Sequence, residues 1–249
     1  MNLKDKKVVV TGGSRGLGLG LVEALVDQGA KVTVVARNVK DLDAVAERLG
    51  VYTISGDITN QAAAHRIIAD IRPDVLVLNA GAAPRMGLLD ELTWEEFSIN
   101  WETDVKAAFF WFQAVLKTPL DPGSRVLVGS SGAAESGSQM TGGYASSKRA
   151  LWFMTKYANL FAQDKNLGIQ FQAIVPRLMV LGTGVGDSAA GAYAAAMGIT
   201  PEEFVSRFGA PMPPRAFGDH VISILKEPQF AESMVLGLNG NDGVTVIDL

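Results

Sequence analysis

The sequence predicts an α/β fold, a doubly wound parallel sheet with helices on both faces. Three observations carry this. Short β-branched runs alternate with helical stretches through the first half of the chain, the pattern of repeated βαβ units. The first of these runs ends in a glycine-rich turn that opens a helix. Finally, 48% of the 249 residues are apolar, enough to bury one large core, yet no run approaches the ~18 apolar residues of a membrane span. A single domain covering residues 1–249 is expected, soluble and cytoplasmic.

The elements follow in order. Val8-Val9-Val10 reads as the first strand, Lys31 to Ala36 as the second, Tyr52-Thr53-Ile54 as a short third and Val75 to Leu78 as the fourth. Helical patterning fills Leu17 to Gln28, Val39 to Leu49 and Gln61 to Ile71, and Gly29 and Pro73 supply stop signals. A long helix is expected from about Trp94 to Leu116, then a strand from Arg125 to Gly129 that runs into Ser130-Ser131. Another helix spans about Tyr144 to Gln163, and the strand Ile169 to Val175 stops at Pro176. The stretch at about 181–217 is rich in Gly, Ala and Pro and reads as a lid, with helical pieces around Ala189 to Met197 and Pro201 to Phe208. A helix near Asp219 to Leu225 and a strand near Met234 to Leu238 complete the chain.

Several function classes are disfavoured at once. A net charge of -4 offers no basic footprint for a nucleic-acid backbone. The chain has no cysteine, which removes disulfides, thiolate metal sites and a cysteine nucleophile. His65 and His220 stand far apart and outside any metal-ligand spacing, so no metal is expected.

The turn Thr11-Gly12-Gly13-Ser14-Arg15-Gly16-Leu17-Gly18 points to a dinucleotide. After a strand and before a helix, such a turn brings backbone N–H groups and a helix N-terminus onto a pyrophosphate. Gly12 permits the sharp turn, Gly16 lets the backbone approach the ligand, and Gly18 allows the helix to pack closely. The second strand ends Val34-Val35-Ala36-Arg37-Asn38, without the acidic residue that binds a ribose 2′-hydroxyl. Arg37, together with Arg15 in the turn, suits a 2′-phosphate instead, so NADP(H) is expected in preference to NAD(H).

Tyr144-Ala145-Ser146-Ser147-Lys148 puts a phenol and an ammonium at i and i+4, on one face of a helix. The positive charge favours the phenolate and suits the pair to acid–base work. Alone, that spacing also describes a solvated helix face. Taken with the glycine turn, with Asn79-Ala80-Gly81 after the fourth strand, with Ser131 thirteen residues before Tyr144 and with Pro176 after the next strand, it resembles the short-chain dehydrogenases/reductases of the single-domain type. The resemblance covers essentially the whole chain.

That resemblance implies a Rossmann-like fold and an oxidoreductase interconverting a ketone or aldehyde with an alcohol. It implies that Tyr144 exchanges a proton with the substrate oxygen, that Ser131 hydrogen-bonds that oxygen, and that Lys148 binds the nicotinamide ribose and eases the proton from Tyr144. It also implies that Asp57 and Ile58 flank the adenine and that Asn79, Ala80 and Gly81 line the cofactor ribose. Thr183 matches the family's later cofactor-touching threonine two residues out of register.

Two positions depart from the family. Its relay asparagine falls on Asp104, with Asn100 one turn earlier as an alternative supplier, which predicts an altered pH dependence. Glycine is usual after the proline, and this chain has Arg177, which predicts a changed nicotinamide loop or a charge pointing into the site. These departures keep open a second class, an NADP(H)-binding sensor with reduced turnover. Met197, Phe204, Phe208 and Met212 line a hydrophobic substrate channel or pack the lid onto the domain. The helices through Phe109-Phe110-Trp111-Phe112 and Leu151-Trp152-Phe153-Met154 carry apolar residues too far round for one core, so a homodimer or homotetramer is expected.

Overall fold

The computed structural model describes residues 1–208 and 211–247, so residues 209 and 210 of the expected lid lie outside it. Among the described residues the strands form one eight-stranded sheet in the order β3-β2-β1-β4-β5-β6-β7-β8. These are β1 (Lys7–Thr11), β2 (Lys31–Ala36), β3 (Tyr52–Ser55), β4 (Val75–Leu78), β5 (Arg125–Gly129), β6 (Gln170–Pro176), β7 (Val235–Leu238) and β8 (Val244–Val246). Every pair is parallel except β7 with β8, a hairpin closed through Asn239, whose N–H donates to the Gly243 carbonyl. The strand order reverses between β1 and β4, and a crevice opens there beyond the carboxyl ends of the strands.

Two apolar layers cover the sheet. On one face α1 (Gly16–Asp27), α2 (Val39–Leu49) and α10 (Pro214–Lys226) bury Leu21, Leu25, Leu42, Phe217 and Val221. On the other, α3 (Gln61–Ile71), α5 (Lys106–Lys117) and α7 (Tyr144–Asp164) bury Ile67, Trp111, Phe112 and Trp152. Strands β1 and β4 read as continuous apolar runs because both of their faces are covered. Helices α1 and α10 cross at van der Waals contact through Gly20 and Gly218, since a methyl group on Gly218 would fall 2.5 Å from the Gly20 carbonyl oxygen.

Four expectations need correction. The helix expected from Trp94 onward is broken in type: α4 (Trp94–Asn100) passes into a π-helical turn (Trp101–Val105) and then α5. Helix α8 (Gly184–Met197) begins before Ala189, because the Thr183 side chain accepts the Gly186 N–H and caps a glycine-rich first turn. α9 (Pro201–Ser206) stops short of Phe208, and α10 starts at Pro214, where proline needs no N–H partner, rather than at Asp219. Strand β8 and the short α6 (Ala133–Ser136) carry too few residues for a periodic signal. Among the described residues, no helix is long and apolar enough to cross a membrane.

Candidate active site

The glycine turn leaves β1 at the strand reversal. Thr11 Oγ1 accepts the N–H groups of Asn79 (3.1 Å) and Ala80 (3.2 Å), which ties the turn to the segment after β4. Gly12 has φ +68°, and a Cβ there would lie 2.8 Å from Ala80 Cα, so this glycine is required both for conformation and for contact. Gly16 has φ +54°. Arg15, the N-cap of α1, makes no side-chain cap, so the first-turn N–H groups keep their capacity for a ligand. Gly12, Ser14, Arg15, Gly16 and Leu17 line a cleft of about 1170 Å³. An uncapped helix N-terminus behind a turn with glycines at positions 12, 13 and 16 is a fitting cradle for a pyrophosphate. Gly18 does not reach the cleft: a Cβ on it would collide with the Gly12 carbonyl and with Asn79 Nδ2 (2.6 Å), so it serves packing of the helix under the turn.

Arg15 and Arg37 stand exposed at this end of the cleft and form no ion pair with the described residues. Asn38 lines the same wall while its side chain accepts the Lys40 N–H and caps α2. Asp41, in the first turn of α2, also lines it. The Asp57 carboxylate accepts both the N–H and the hydroxyl of Thr59 (2.8 Å each), which with the charges of Arg37 and Lys106 holds it below the usual aspartate range against the opposing effect of burial. Ile58 is fixed by Trp111, whose indole N–H donates to its carbonyl at 3.0 Å.

At the far end of the same cleft stand Ser131, Tyr144, Lys148 and Asp104. Tyr144 is the first residue of α7, and Lys148 one turn on lies with Nζ 5.6 Å from its ring centroid. Lys148 is buried, donating to the Gly129 carbonyl and pairing with Asp104 Oδ2, both at 3.0 Å. Burial pushes the ammonium down, but the Asp104 carboxylate and the Tyr144 oxygen outweigh it and hold Lys148 above the usual lysine range. Asp104 sits in the π-helical turn, and its other oxygen accepts the Ala82 N–H at 2.9 Å. A Cβ on Gly81 would fall 2.9 Å from that oxygen, so Gly81 is what lets the carboxylate approach. Asn100, the alternative supplier, uses its amide N–H groups on the Ala82 carbonyl (2.7 Å) and Asp104 (3.4 Å), bracing the carboxylate from behind. Ser131 Oγ accepts the Ala133 N–H at 3.3 Å, which leaves its own proton to donate.

Sequence reasoning missed Ser130. Its hydroxyl donates to the Lys148 carbonyl and accepts the Trp152 indole N–H at 2.7 Å, locking α7 to the end of β5. A buried serine beside the candidate Ser131, with tryptophan at i+22, carries no sequence signal.

The family model described as short chain dehydrogenase matches residues 6–189. The chain belongs to the short-chain dehydrogenase family. It is an oxidoreductase of that family, 30% identical over 188 residues to the sorbitol dehydrogenase of Cereibacter sphaeroides (71% of each chain). It is 34% identical over 159 residues to the L-xylulose reductase of Homo sapiens, covering 62% of this chain and 64% of the relative. In fold it is similar to an actinorhodin polyketide ketoreductase solved with NADPH, with TM-score 0.80 and 24% identity over 95% of this chain and 96% of the other. A short chain dehydrogenase from Burkholderia cenocepacia in complex with NADP gives TM-score 0.76 and 26% identity over 96% and 98%.

Against that family pattern, Arg177 needs a further correction. Its guanidinium does not carry a free charge into the site: it makes a two-pronged pair with Glu135 (2.7 and 2.6 Å) and further bonds to Asn239 and Thr245. The loop after Pro176 is thereby stitched to α6 and to the β7–β8 edge, and the Glu135 hydrogen bonds hold Arg177 above its usual range. Thr183, despite its late register, faces the glycine turn, its methyl 3.5 Å from where a Gly16 Cβ would stand. The apolar residues of the expected lid divide. Met212 is buried in the main core and is absent from the cleft, Phe204 is buried yet borders it, and Met197 and Phe208 line it half-exposed. Phe109, Phe153, Tyr157, Leu160 and Phe161 form exposed apolar positions on α5 and α7.

Proposed function

We propose that this family member is an NADP(H)-dependent carbonyl reductase, interconverting a ketone or aldehyde with an alcohol, with residues 1–249 as one catalytic domain and about 181–217 as its lid. The carrying observation is that Ser131, Tyr144 and the Lys148–Asp104 pair open on the same cleft as the glycine turn. The nicotinamide, when bound, supplies or takes up hydride at the substrate carbon.

The chain's own residues manage position and protons. The Ser131 hydroxyl donates to the carbonyl oxygen and holds it beside Tyr144. Tyr144 Oη gives its proton to that oxygen as negative charge develops there, and the nearby ammonium of Lys148 stabilises the phenolate left behind. Asp104 keeps Lys148 cationic and fixed in place. Gly12, Ser14, Gly16 and Leu17 hold the pyrophosphate, and Asp57, Ile58, Asn79, Ala80 and Gly81 line the adenosine and ribose side. Pro176 and Thr183 border the nicotinamide. Arg15, Arg37 and Asn38 receive the 2′-phosphate, a reading supported by two cations free of ion pairs with the described residues and by the NADP named for a structural relative. The relatives' names, a sorbitol dehydrogenase and a xylulose reductase, support carbonyl–alcohol chemistry. The exposed row on α5 and α7 supports a homodimer or homotetramer, and the absence of cysteine fits a cytoplasmic setting.

A second reading, an NADP(H)-binding sensor with reduced turnover, rests on Asp104 engaging Lys148 directly. NADPH oxidation against a panel of carbonyl compounds, run beside Tyr144→Phe, separates the two. Tyr144-dependent turnover supports the reductase; NADPH binding with no such turnover supports the sensor.

A further inference from the structure

The lid and the turn that starts the tyrosine helix are held together by one side chain, Tyr193 of α8. Its hydroxyl lies 2.8 Å from Ser138 Oγ and accepts the Met140 N–H at 3.1 Å. Since the oxygen already accepts from Met140, its own proton can go to Ser138, and both polar partners are served by a single phenol. The ring stacks on Phe204 of α9 with centroids 5.4 Å apart and planes 3° from parallel, which ties α9 to α8 through the same side chain.

The grip lands on a segment that sets the start of α7. The Ser138 carbonyl accepts both the N–H (3.2 Å) and the hydroxyl (3.0 Å) of Thr141, and the Thr141 carbonyl accepts the N–H of Tyr144 (3.0 Å). The Met140 carbonyl meanwhile takes the Gly87 N–H at 2.9 Å. Gly143, the N-cap of α7, has no side chain to cap with, and the first N–H of the helix, that of Tyr144, is satisfied by this loop instead. Tyr193, Ser138, Thr141 and Tyr144 all border the cleft. At its other end α8 is capped by Thr183 beside the glycine turn, so one helix spans both halves of the site.

We infer that Tyr193 is a positioning residue that couples closure of the α8–α9 lid to the placement of Tyr144. When the lid is seated, the Tyr193 hydroxyl orders the 138–141 turn and thereby the first turn of α7. When it lifts, that turn loses two of its partners and the phenol of Tyr144 loses its fixed position. The inference rests on the proposed function only for the role given to Tyr144; the contacts themselves are independent of it.

The test is Tyr193→Phe, which keeps the ring stacked on Phe204 and deletes the hydroxyl. Ser138→Ala, which spares the Met140 bond, is the milder second variant. Hydrogen exchange of the ligand-free protein is followed over residues 138–147 and 184–206. In Tyr193→Phe both segments are expected to exchange faster together, by on the order of tenfold for two lost hydrogen bonds, with a smaller change of the same direction in Ser138→Ala. With NADPH and any carbonyl compound that the unmodified protein reduces, kcat is expected to fall by about the same factor while NADPH affinity is retained. Faster exchange confined to 184–206, or a rise in KM with kcat unchanged, would overturn the coupling. If the unmodified protein reduces no carbonyl compound, the proposed reductase fails on its own account and the exchange result still decides this inference.

Discussion

At the β1–α1 end of the cleft the chain offers backbone: bare N–H groups, glycines with positive φ, and two arginines at the rim. At the α7–α8 end it offers side chains already paired with one another, Lys148 with Asp104, Arg177 with Glu135 and Tyr193 with Ser138. The first end is tuned by shape, because a Cβ where none fits displaces the turn. The second is tuned by charge and protonation, because each functional group takes its state from a partner elsewhere in the chain. On the proposed function, a ligand that spans both would be held by geometry at one end and processed by electrostatics at the other.

Substitutions at each end should therefore fail in different ways. The largest effect is expected from Tyr144→Phe, which should cut NADPH-dependent carbonyl reduction by roughly 10²–10⁴-fold and leave NADPH binding intact, as read by steady-state rates beside a fluorescence titration. Loss of binding in parallel would erase the distinction between the two ends.

Asp104→Asn should cost about 3–5 kcal/mol of stability in a denaturant titration, because it leaves a buried ammonium without its counter-charge. The sign of the pH effect follows from Lys148. Its folded value lies above the unfolded one, so the contribution of Lys148 to stability is complete below the ordinary lysine range and disappears as pH rises through the folded value. Without Asp104, burial dominates and Lys148 should lose its proton at lower pH. The alkaline limb of the kcat/KM profile should then move toward neutrality, and superimposable profiles would show that Asp104 does not govern Lys148.

At the other end, Arg37→Gln should weaken NADPH by about tenfold or more while leaving NADH nearly untouched, since a charge-assisted bond to a phosphate contributes about 1.5–3 kcal/mol. Equal changes for the two cofactors would remove the 2′-phosphate assignment. The smallest effect expected is from Gly12→Ala, about 1–3 kcal/mol of folding stability for a side chain forced to φ +68° against Ala80, measured as a fall in Tm with the pH profile unmoved.

How far each end could be read from the sequence follows the same division. The turn from Thr11 to Gly18 is contiguous, and its glycines, the strand before it and the helix after it announce themselves by local pattern. Ser131, Tyr144 and Lys148 were legible as a spaced set. The state of Lys148 was only half legible: Asp104 stood out as a departure, but its 3.0 Å contact needs a π-helical turn and a glycine at position 81 to admit the carboxylate. Arg177 was legible only as a choice between a changed loop and a charge aimed into the site, because the partners that exclude the second, Glu135, Asn239 and Thr245, lie between 42 and 68 residues away. Ser130 and Tyr193 left no trace at all.

The sequence alone determined the α/β alternation, the place of most strands along the chain, the glycine turn and the spaced set of Ser131, Tyr144 and Lys148, because these depend on periodicity, on glycine's backbone freedom and on local spacing. Only the tertiary structure decided which charges neutralise one another, which glycines serve packing, and how α8 is fastened to the 138–141 turn. Those outcomes depend on contacts between segments far apart in the chain, and burial, which sets the strength of each charge and hydrogen bond, is a property of the folded packing and of no single stretch of residues.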